Sequence, residues 1–484
     1  MEANEADGII SFIARSIGAQ ENAVRLLTSL FLGYPFAFFH RQFLHGKAAI
    51  LQHLYFISVG LWICYFNFGF AVIHSLANIL LIYVLLVTVG GTQLSVGLAL
   101  IGNMSYLLYG YLLPKDTDNY DISWTTPHCV LTLRLTSLVF DIYDGRRKQN
   151  NAKLSAEQES TALDKVPSLI EILGQTYYFG GFMVGPQFSM RRYLDFVNGD
   201  FSDKITGGPP ASVKPGLSRL VLGLCYTLLF QILSVYTPDS YLTDPEFLNS
   251  TLLYKLLYIL IWGRVFLFKY NGCWLITEGA CIVTGLSYNG KDKNGNDLWD
   301  GCANIIPYYC EVGDTGQKLI QGFNINTNLW MAKYVFKRLK FLGNKDLSQL
   351  CTLLFLAVWH GTNSGYFINF CLEFLIIKCE REVGSVVDRN PTLHAIHTSK
   401  LTYPIIWFIK RCCILIGLGY ALIGFALLDF DKWLKVYNGT YWLPFIIYLT
   451  VPMWKVPLKV IFPPVKSRQN GEQNHNTDKQ SKTE

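Results

Sequence analysis

A run of 67 residues, from Ala48 to Pro114, contains no Asp, Glu, Lys or Arg. A helix needs about 20 apolar residues to cross the hydrocarbon core of a bilayer, so this run is long enough for about three crossings. A surface of this kind does not cover a water-soluble fold, because such folds keep charged side chains on the outside. We therefore predict an integral membrane protein.

The composition of the whole chain agrees with this prediction. Charged residues make up 16% of the 484 residues, whereas soluble domains carry about 25%. The same figures exclude disordered, collagenous and small disulfide-rich proteins. Aromatic residues reach 15%, which suits rings placed at the level of lipid headgroups. A bias of basic residues toward the cytosolic side explains the net charge of +6, so we predict no nucleic-acid partner.

Apolar segments continue along the chain and predict an all-α, polytopic membrane protein with ten to twelve crossings, in a single domain over 1–462. The polar tail, 463–484, is expected to be disordered. The segment 168–190 contains several glycines and Pro186, so a broken or re-entrant helix is expected there. Two adjoining segments are expected to bend near Asn271–Gly272. The segments are 22–39, 50–66, 68–88, 93–113, 123–143, 168–190, 217–236, 250–270, 271–286, 347–378, 404–428 and 440–462.

Three local patterns predict the orientation in the membrane. The basic cluster 146–148 lies against the end of a predicted span, which favours the cytosolic side. Asn438 begins a glycosylation sequon between the last two predicted spans, which is lumenal if the tail is cytosolic. The tail partly matches a dilysine signal, so we predict the endoplasmic reticulum membrane with a cytosolic C-terminus.

Cys302 and Cys310 lie in a polar stretch and either form a disulfide with each other or stay free.

An imidazole lies inside the predicted span 347–378, where polar side chains are costly and are often functional. His360 is followed by Gly361, which allows another group to approach closely. It either forms a hydrogen bond across two helices or takes part in catalysis. Trp359 and Tyr366 either line a substrate chamber or serve in packing. Glu373 lies thirteen residues after the histidine, and we expect a structural role for it.

The segment FNINTN, residues 323–328, holds three asparagines at alternate positions. A neutral amide can donate a hydrogen bond to a carbonyl oxygen and orient it without the cost of a buried charge. Thr327 or Asn328 is expected to cap a helix that begins near Leu329. The remaining asparagines are then available for substrate.

The helix predicted after these asparagines carries a basic face. Lys333, Lys337 and Lys340 follow each other at helical spacing and share that face. They are expected to contact anionic headgroups, or the phosphates of a bulky anionic substrate such as coenzyme A. No histidine or cysteine has convincing metal-ligand spacing, so we predict neither a metal nor a cofactor.

Taken together, these residues resemble the membrane-bound O-acyltransferase family. The similarity rests on an asparagine in FNINTN, on Trp330 and the basic helix after it, and on the histidine of VWHG, 36 residues after Asn324. The segment GPQFSMRRYLDF, at 185–196, also resembles a Gly-Pro segment of the family. Phe323 departs from the family pattern, since many relatives have Trp before the asparagine. The resemblance covers nearly the whole chain.

This resemblance implies a membrane fold of about 11 transmembrane helices with an internal substrate tunnel. It implies that Asn324 and His360 are the catalytic pair. The substrates would be acyl-CoA, a co-substrate rather than a cofactor, and a lysophospholipid drawn from the membrane lipids. Polyunsaturated acyl chains would pass to the sn-2 hydroxyl, chiefly of lysophosphatidylcholine and also of lysophosphatidylethanolamine and lysophosphatidylserine.

The chemistry expected of this pair is direct acyl transfer. His360 would take the proton of the hydroxyl, while Asn324 orients the substrate or thioester and stabilises the developing oxyanion. Acyl-CoA is expected to enter from the cytosol and the lysophospholipid from the bilayer. The alternative is a lipid or solute transporter in which His360 relays protons.

Overall fold

The structure, a computed structural model, describes residues 8–113, 122–203 and 207–463. Within these ranges the regular structure is helical, apart from isolated β-bridges between Lys291 and Asp297 and between Ile305 and Phe323. The all-α prediction is therefore confirmed for the described residues. The tail predicted to be disordered, 463–484, lies outside them except for its first residue. The single domain over 1–462 remains a prediction.

The N-terminal part of the chain consists mainly of long apolar helices. They are α1 (Ile9–Ile17), α2 (Glu21–Phe39), α3 (Ala49–Phe68), α4 (Val72–Val89), α5 (Gln93–Leu112) and α6 (Thr125–Gln149). A π-helical turn, His40–Leu44, extends α2, and a 3-10 turn, Gly69–Ala71, joins α3 to α4. The uncharged run thus forms α3, α4 and α5, which confirms the three helical segments predicted there.

The middle of the chain alternates short and long helices. They are α7 (Ala156–Glu159), α8 (Leu169–Thr176), α9 (Met190–Val197), α10 (Val213–Leu233), α11 (Pro245–Asn249), α12 (Leu252–Thr284), α13 (Pro307–Val312) and α14 (Gly316–Gly322). A 3-10 turn, Asp239–Thr243, precedes α11. The remaining helices are α15 (Ile325–Tyr334), α16 (Lys345–His360), α17 (Ser364–Arg389), α18 (Pro391–Thr398), α19 (Tyr403–Leu427), α20 (Phe430–Gly439) and α21 (Leu443–Ile461). The 3-10 stretch Phe336–Leu342 lies between α15 and α16.

Four stretches of the described residues are long and apolar enough to cross a membrane: Glu21–Leu44, Ala49–Val89, Val213–Leu233 and Tyr403–Leu427. Large apolar side chains on these helices point away from the protein. Leu81, Val221 and Ile405 are 61%, 59% and 64% exposed. Exposed aliphatic side chains on long apolar helices are stable against lipid tails and costly against water.

The segment after α8 confirms the predicted interruption, since residues 177–189 form no regular helix. Backbone groups outside a helix need other partners at membrane depth. Arg134, in α6, is only 2% exposed and supplies several of them. Its guanidinium donates to the carbonyls of Gln175 at 2.9 Å, Thr176 at 3.0 Å and Gly181 at 3.1 Å. Gln175 and Thr176 end α8 and Gly181 lies in the irregular segment, so one buried cation links the helix to the segment that follows it.

The bend predicted at Asn271–Gly272 is wrong, because α12 runs without interruption through both residues. Gly272 instead lies where α12 meets α10. A Cβ atom at Gly272 would lie 2.5 Å from the hydroxyl oxygen of Thr227 and 3.2 Å from the carbonyl oxygen of Gly223. The glycine allows two helices to approach each other closely.

The single span predicted over 347–378 is also wrong, since it consists of α16 and α17 with a break between them. The break begins at Gly361, whose φ of +146° and ψ of −174° cannot continue a helix. Helix α17 then packs against α19. Gly365 of α17 and Gly424 of α19 face each other so closely that neither has room for a Cβ atom. His360 is consequently the last residue of a helix rather than the middle of a span.

Candidate active site

An apolar cavity of about 290 Å³ lies between α6, α12, α16, α17 and α19. Its wall also includes part of the irregular segment, at Val184, and the start of α15. The two residues predicted to be catalytic, Asn324 and His360, both line this cavity, which we call the chamber. The structure therefore brings together two polar side chains that are 36 residues apart in sequence.

The imidazole of His360 is surrounded by aromatic rings. The ring centroids of Trp359, Tyr366, Phe370 and Phe425 lie 4.6, 5.6, 5.5 and 5.0 Å from its own. Tyr366 and Phe370 are nearly parallel to it, with interplanar angles of 29° and 24°. Among the described residues the imidazole nitrogens have no hydrogen-bond partner. The ring is thus positioned by packing, and its nitrogens are available to a substrate.

A second and smaller cavity, of about 60 Å³, is also lined by His360. Its wall contains the polar residues Thr125, Thr362 and Asn363 and the ring of Tyr366. His360 therefore contributes to the walls of both a large apolar chamber and a small cavity with polar residues.

The helix after the asparagines begins earlier than predicted. Asn324 occupies the position before Ile325, the first residue of α15, and its side chain makes no capping hydrogen bond. Capping of a helix near Leu329 by Thr327 or Asn328 is therefore wrong, since both lie inside α15. Asn324 has a left-handed backbone, with φ +50° and ψ +47°, which asparagine tolerates better than most residues.

The three asparagines of this segment have different partners. The amide of Asn326 donates to the carbonyl of Ala303 at 2.9 Å, and that of Asn328 donates to the carbonyl of Phe323 at 2.9 Å. The carbonyl oxygen of the Asn324 side chain accepts a hydrogen bond from Asn304 at 3.4 Å. In the described part of the chain, the amide nitrogen of Asn324 donates no hydrogen bond. Of the three amides, this nitrogen is the one that remains available in the chamber.

The sequence predicts no role for Asn304, whose side chain forms hydrogen bonds with both Asn324 and Asn326. Its amide nitrogen reaches Asn324, while its side-chain oxygen accepts from the backbone nitrogen of Asn326 at 3.0 Å. Asn304 itself is 2% exposed and lines the chamber. No spacing in the sequence marks it, because it lies in an irregular loop 20 residues before Asn324.

Trp359 and Tyr366 both contribute to the surroundings of His360. Trp359 lines the chamber, and its indole nitrogen donates to the carbonyl of Cys129 at 2.9 Å. Tyr366 lines the smaller cavity. Both residues are 5% exposed, so they also serve in packing.

The basic face lies outside the chamber. The predicted helix ends at Tyr334, and the other lysines lie in Phe336–Leu342. The ammonium of Lys333 donates a hydrogen bond to the hydroxyl of Thr161. It also lies 3.4 Å from the carboxylate of Asp141, which belongs to α6 and is 1% exposed. Lys337 pairs with Glu157, and Lys340 is exposed. Binding of substrate by Lys333, Lys337 and Lys340 remains a prediction.

The other predicted positions are placed as follows. Cys302 and Cys310 are free and buried, so the alternative of a disulfide between them is not realised in the structure. Asn438 is exposed near the end of α20, and its side-chain oxygen accepts from the indole of Trp442 at 2.8 Å. Its use as a glycosylation site remains a prediction.

Glu373, for which we expect a structural role, lines the chamber together with Asn369. The sequence shows that Glu373 is an isolated carboxylate in an apolar segment. It does not show that the side chain faces the chamber, because the break at Gly361 changes which face of α17 meets the site.

Comparison with known proteins shows the family to which the chain belongs. The model of the membrane-bound O-acyltransferase family matches residues 111–427. Lysophospholipid acyltransferase 5 of Homo sapiens is 45% identical over 91% of this chain and 89% of its own length. Proteins of the same name from Drosophila melanogaster and Caenorhabditis elegans are 38% and 35% identical, over 90% and 92% of this chain and 86% and 93% of theirs. The matched region contains both Asn324 and His360, and the chain belongs to the membrane-bound O-acyltransferase family.

Proposed function

We propose that this protein is an acyl-CoA-dependent lysophospholipid acyltransferase. The observation that carries the proposal is the common position of Asn324 and His360 on the wall of one apolar chamber. The names of the relatives supply the substrate class. The acceptors are lysophosphatidylcholine first, then lysophosphatidylethanolamine and lysophosphatidylserine, and the acyl chains are polyunsaturated.

The reaction is a direct transfer between the two substrates. His360 accepts the proton of the sn-2 hydroxyl as its oxygen attacks the carbonyl carbon of the thioester. The amide nitrogen of Asn324 donates to the carbonyl oxygen, where negative charge develops. The carbon–sulfur bond then breaks, and the proton passes from His360 to the leaving thiolate. The products are a diacyl phospholipid and coenzyme A.

The surroundings of His360 support transfer without an acyl-enzyme. Cys129 lines the chamber beside His360, but its thiol donates to the carbonyl of Thr126 at 2.9 Å. A nucleophilic thiol needs a base within hydrogen-bond reach, and this thiol is directed elsewhere. The hydroxyl of the acceptor is then the attacking group.

We also propose that the protein has about 11 transmembrane helices and an internal tunnel, and lies in the endoplasmic reticulum membrane with a cytosolic C-terminus. Acyl-CoA enters from the cytosol and the lysophospholipid from the bilayer. The long exposed apolar helices and the apolar chamber support this arrangement. Coenzyme A supplies the acyl group as a co-substrate, and the mechanism needs no resident cofactor.

The test is acyl transfer by the purified chain in detergent, with labelled arachidonoyl-CoA and lysophosphatidylcholine. We expect labelled phosphatidylcholine from the wild type and a loss of at least about 100-fold in His360→Ala, because the base is removed. His394→Ala, which changes an exposed histidine of α18, is the matched control and should keep full activity. Full turnover in His360→Ala would contradict the catalytic role. A wild type that is inert in detergent but moves lipid or solute in sealed vesicles would favour the transporter.

A further inference from the structure

The chamber contains an unpaired carboxylate. Glu373 lines its wall, and among the described residues it has no hydrogen bond or ion pair. Asn369, one helical turn earlier, lines the same wall, is 6% exposed and likewise has no partner there. By contrast, Glu380 on the same helix accepts from the backbone nitrogen of Gly316 at 2.7 and 2.9 Å.

An ionised carboxylate in an apolar cavity is costly unless a cation approaches it. Neither substrate tail supplies a cation, and the phosphates of coenzyme A would be repelled by a carboxylate. The lysophospholipids proposed as acceptors do supply one. Choline, ethanolamine and serine headgroups each carry an ammonium group next to the phosphodiester.

The spacing along α17 relates this carboxylate to the reacting atoms. Tyr366, Asn369, Phe370 and Glu373 follow at helical intervals and share one face. The rings of Tyr366 and Phe370 lie against His360, so Asn369 is at the level of the imidazole. Glu373 lies three residues beyond Phe370, about 4.5 Å further along the axis at 1.5 Å per residue.

We propose that Asn369 and Glu373 form the headgroup site for a lysophospholipid with a cationic headgroup. With the sn-2 hydroxyl at His360, the amide of Asn369 donates to the phosphodiester. The carboxylate of Glu373 pairs with the ammonium beyond it. The order of base, amide and carboxylate on the wall follows the order of hydroxyl, phosphate and ammonium in the acceptor. This inference rests on the proposed acyltransferase function.

The test compares acceptors that differ only in charge. The purified full-length chain is assayed at fixed acyl-CoA with lysophosphatidylcholine and with an isostere whose quaternary nitrogen is replaced by carbon. We expect kcat/KM of the wild type to be about ten-fold higher for the charged acceptor, mainly through KM, as a lost ion pair predicts. Glu373→Gln should remove this preference and leave the isostere unaffected. Glu373→Asp, which keeps the charge, should retain part of it.

Glu380→Gln is the matched control, because it makes the same change on the same helix away from the chamber. It should keep the wild-type preference for the charged acceptor. Equal loss for both acceptors in Glu373→Gln would overturn the inference, as would a wild type that does not distinguish them. A wild type that does not distinguish the acceptors overturns the inference even if Glu373→Gln fails to fold, and Glu373→Asp then serves as the second variant. No transfer to any lysophospholipid by the wild type would instead contradict the proposed function.

Discussion

At the scale of single residues, the proposed catalytic pair, Asn324 and His360, consists of two groups that carry no charge before the reaction begins. His360 is packed between rings and has no carboxylate partner among the described residues, unlike the histidine of a hydrolytic triad. A thioester is already activated, and the acceptor hydroxyl need only lose its proton as the new bond forms. A histidine whose nitrogens are both available can hold that proton and then give it to sulfur.

Asn304 is expected to act as a positioning residue. Asn304→Asp keeps the acceptor used by the backbone of Asn326 but replaces the donor to Asn324 with an oxygen. The amide of Asn324 then loses its fixed orientation, and we expect kcat to fall about ten-fold or more, with KM for acyl-CoA near that of the wild type. Steady-state kinetics in detergent measure both constants.

The kcat of folded enzyme separates this role from a structural one. Asn304 is 2% exposed, and its backbone nitrogen lies 3.4 Å from the carboxylate of Glu278, so Asn304→Asp buries a second carboxylate there and should lower the Tm. Asn304→Ala loses both contacts without burying a charge and should also lower the Tm. Both variants are therefore assayed well below their Tm, and a wild-type kcat in Asn304→Asp would show that Asn304 serves the loop rather than the catalytic amide.

His360 is predictable from the sequence because a polar residue in an apolar segment is conspicuous by itself. Asn324 is distinguished from Asn326 and Asn328 in the sequence only by the family spacing. The structure shows a physical difference that the sequence does not contain, since the amides of Asn326 and Asn328 are bound to carbonyls of the chain. Asn304 was missed because its importance comes from contacts across a loop.

At the scale of elements, the site depends on an irregular segment and on the helix that supports it. Arg134→Met should leave the carbonyls of Gln175, Thr176 and Gly181 without their donor. Buried carbonyls that lose a charged partner destabilise the fold by about 3 kcal/mol or more. We expect a clear fall in Tm, measured by thermal unfolding in detergent.

Two further variants specify the cause of this loss. Arg134→Lys should restore little stability, because one ammonium cannot reproduce the planar set of donors. Arg389→Met changes an exposed arginine at the end of α17 and should keep the wild-type Tm. A lysine variant as stable as the wild type would show that charge alone, and not the directed hydrogen bonds, supports the segment.

Glycine explains why element boundaries were only partly predictable. A glycine in an apolar segment is compatible with a break, as at Gly361, or with close helix packing, as at Gly272. The difference depends on whether another backbone lies against the position. This information comes from tertiary contacts and not from the local sequence. The local sequence therefore predicts α3, α4 and α5 correctly, but it does not predict that α12 is continuous or that α16 ends at His360.

At the scale of the whole molecule, the exposed apolar surface indicates a membrane protein, and the accessibility of the C-terminus tests the proposed orientation. If the C-terminus is cytosolic, a tag placed there should be accessible to antibody in cells whose plasma membrane alone is permeabilised. Asn438 should then lie on the lumenal side. Treatment with an endoglycosidase should reduce the mass of the wild type and leave Asn438→Gln unchanged.

The surroundings of the sequon add a condition to this experiment. Thr440 is fully buried, and its hydroxyl donates to the carbonyls of Val436 and Tyr437. Glycosylation of Asn438 must then precede folding of this end of α20. A tag protected from antibody until the inner membranes are opened would reverse the proposed orientation.

The end of α16 at His360 has an electrostatic consequence. The last carbonyls of a helix have no partner within it, and together they place about half a negative charge at its C-terminal end. In an unbroken span the imidazole would lie among carbonyls bonded to the next turn. Because Gly361 stops the helix, the positive charge that the imidazole acquires while it holds the proton arises beside this negative pole, an interaction of about 1 kcal/mol. The backbone thus provides the counter-charge that no side chain near His360 supplies among the described residues.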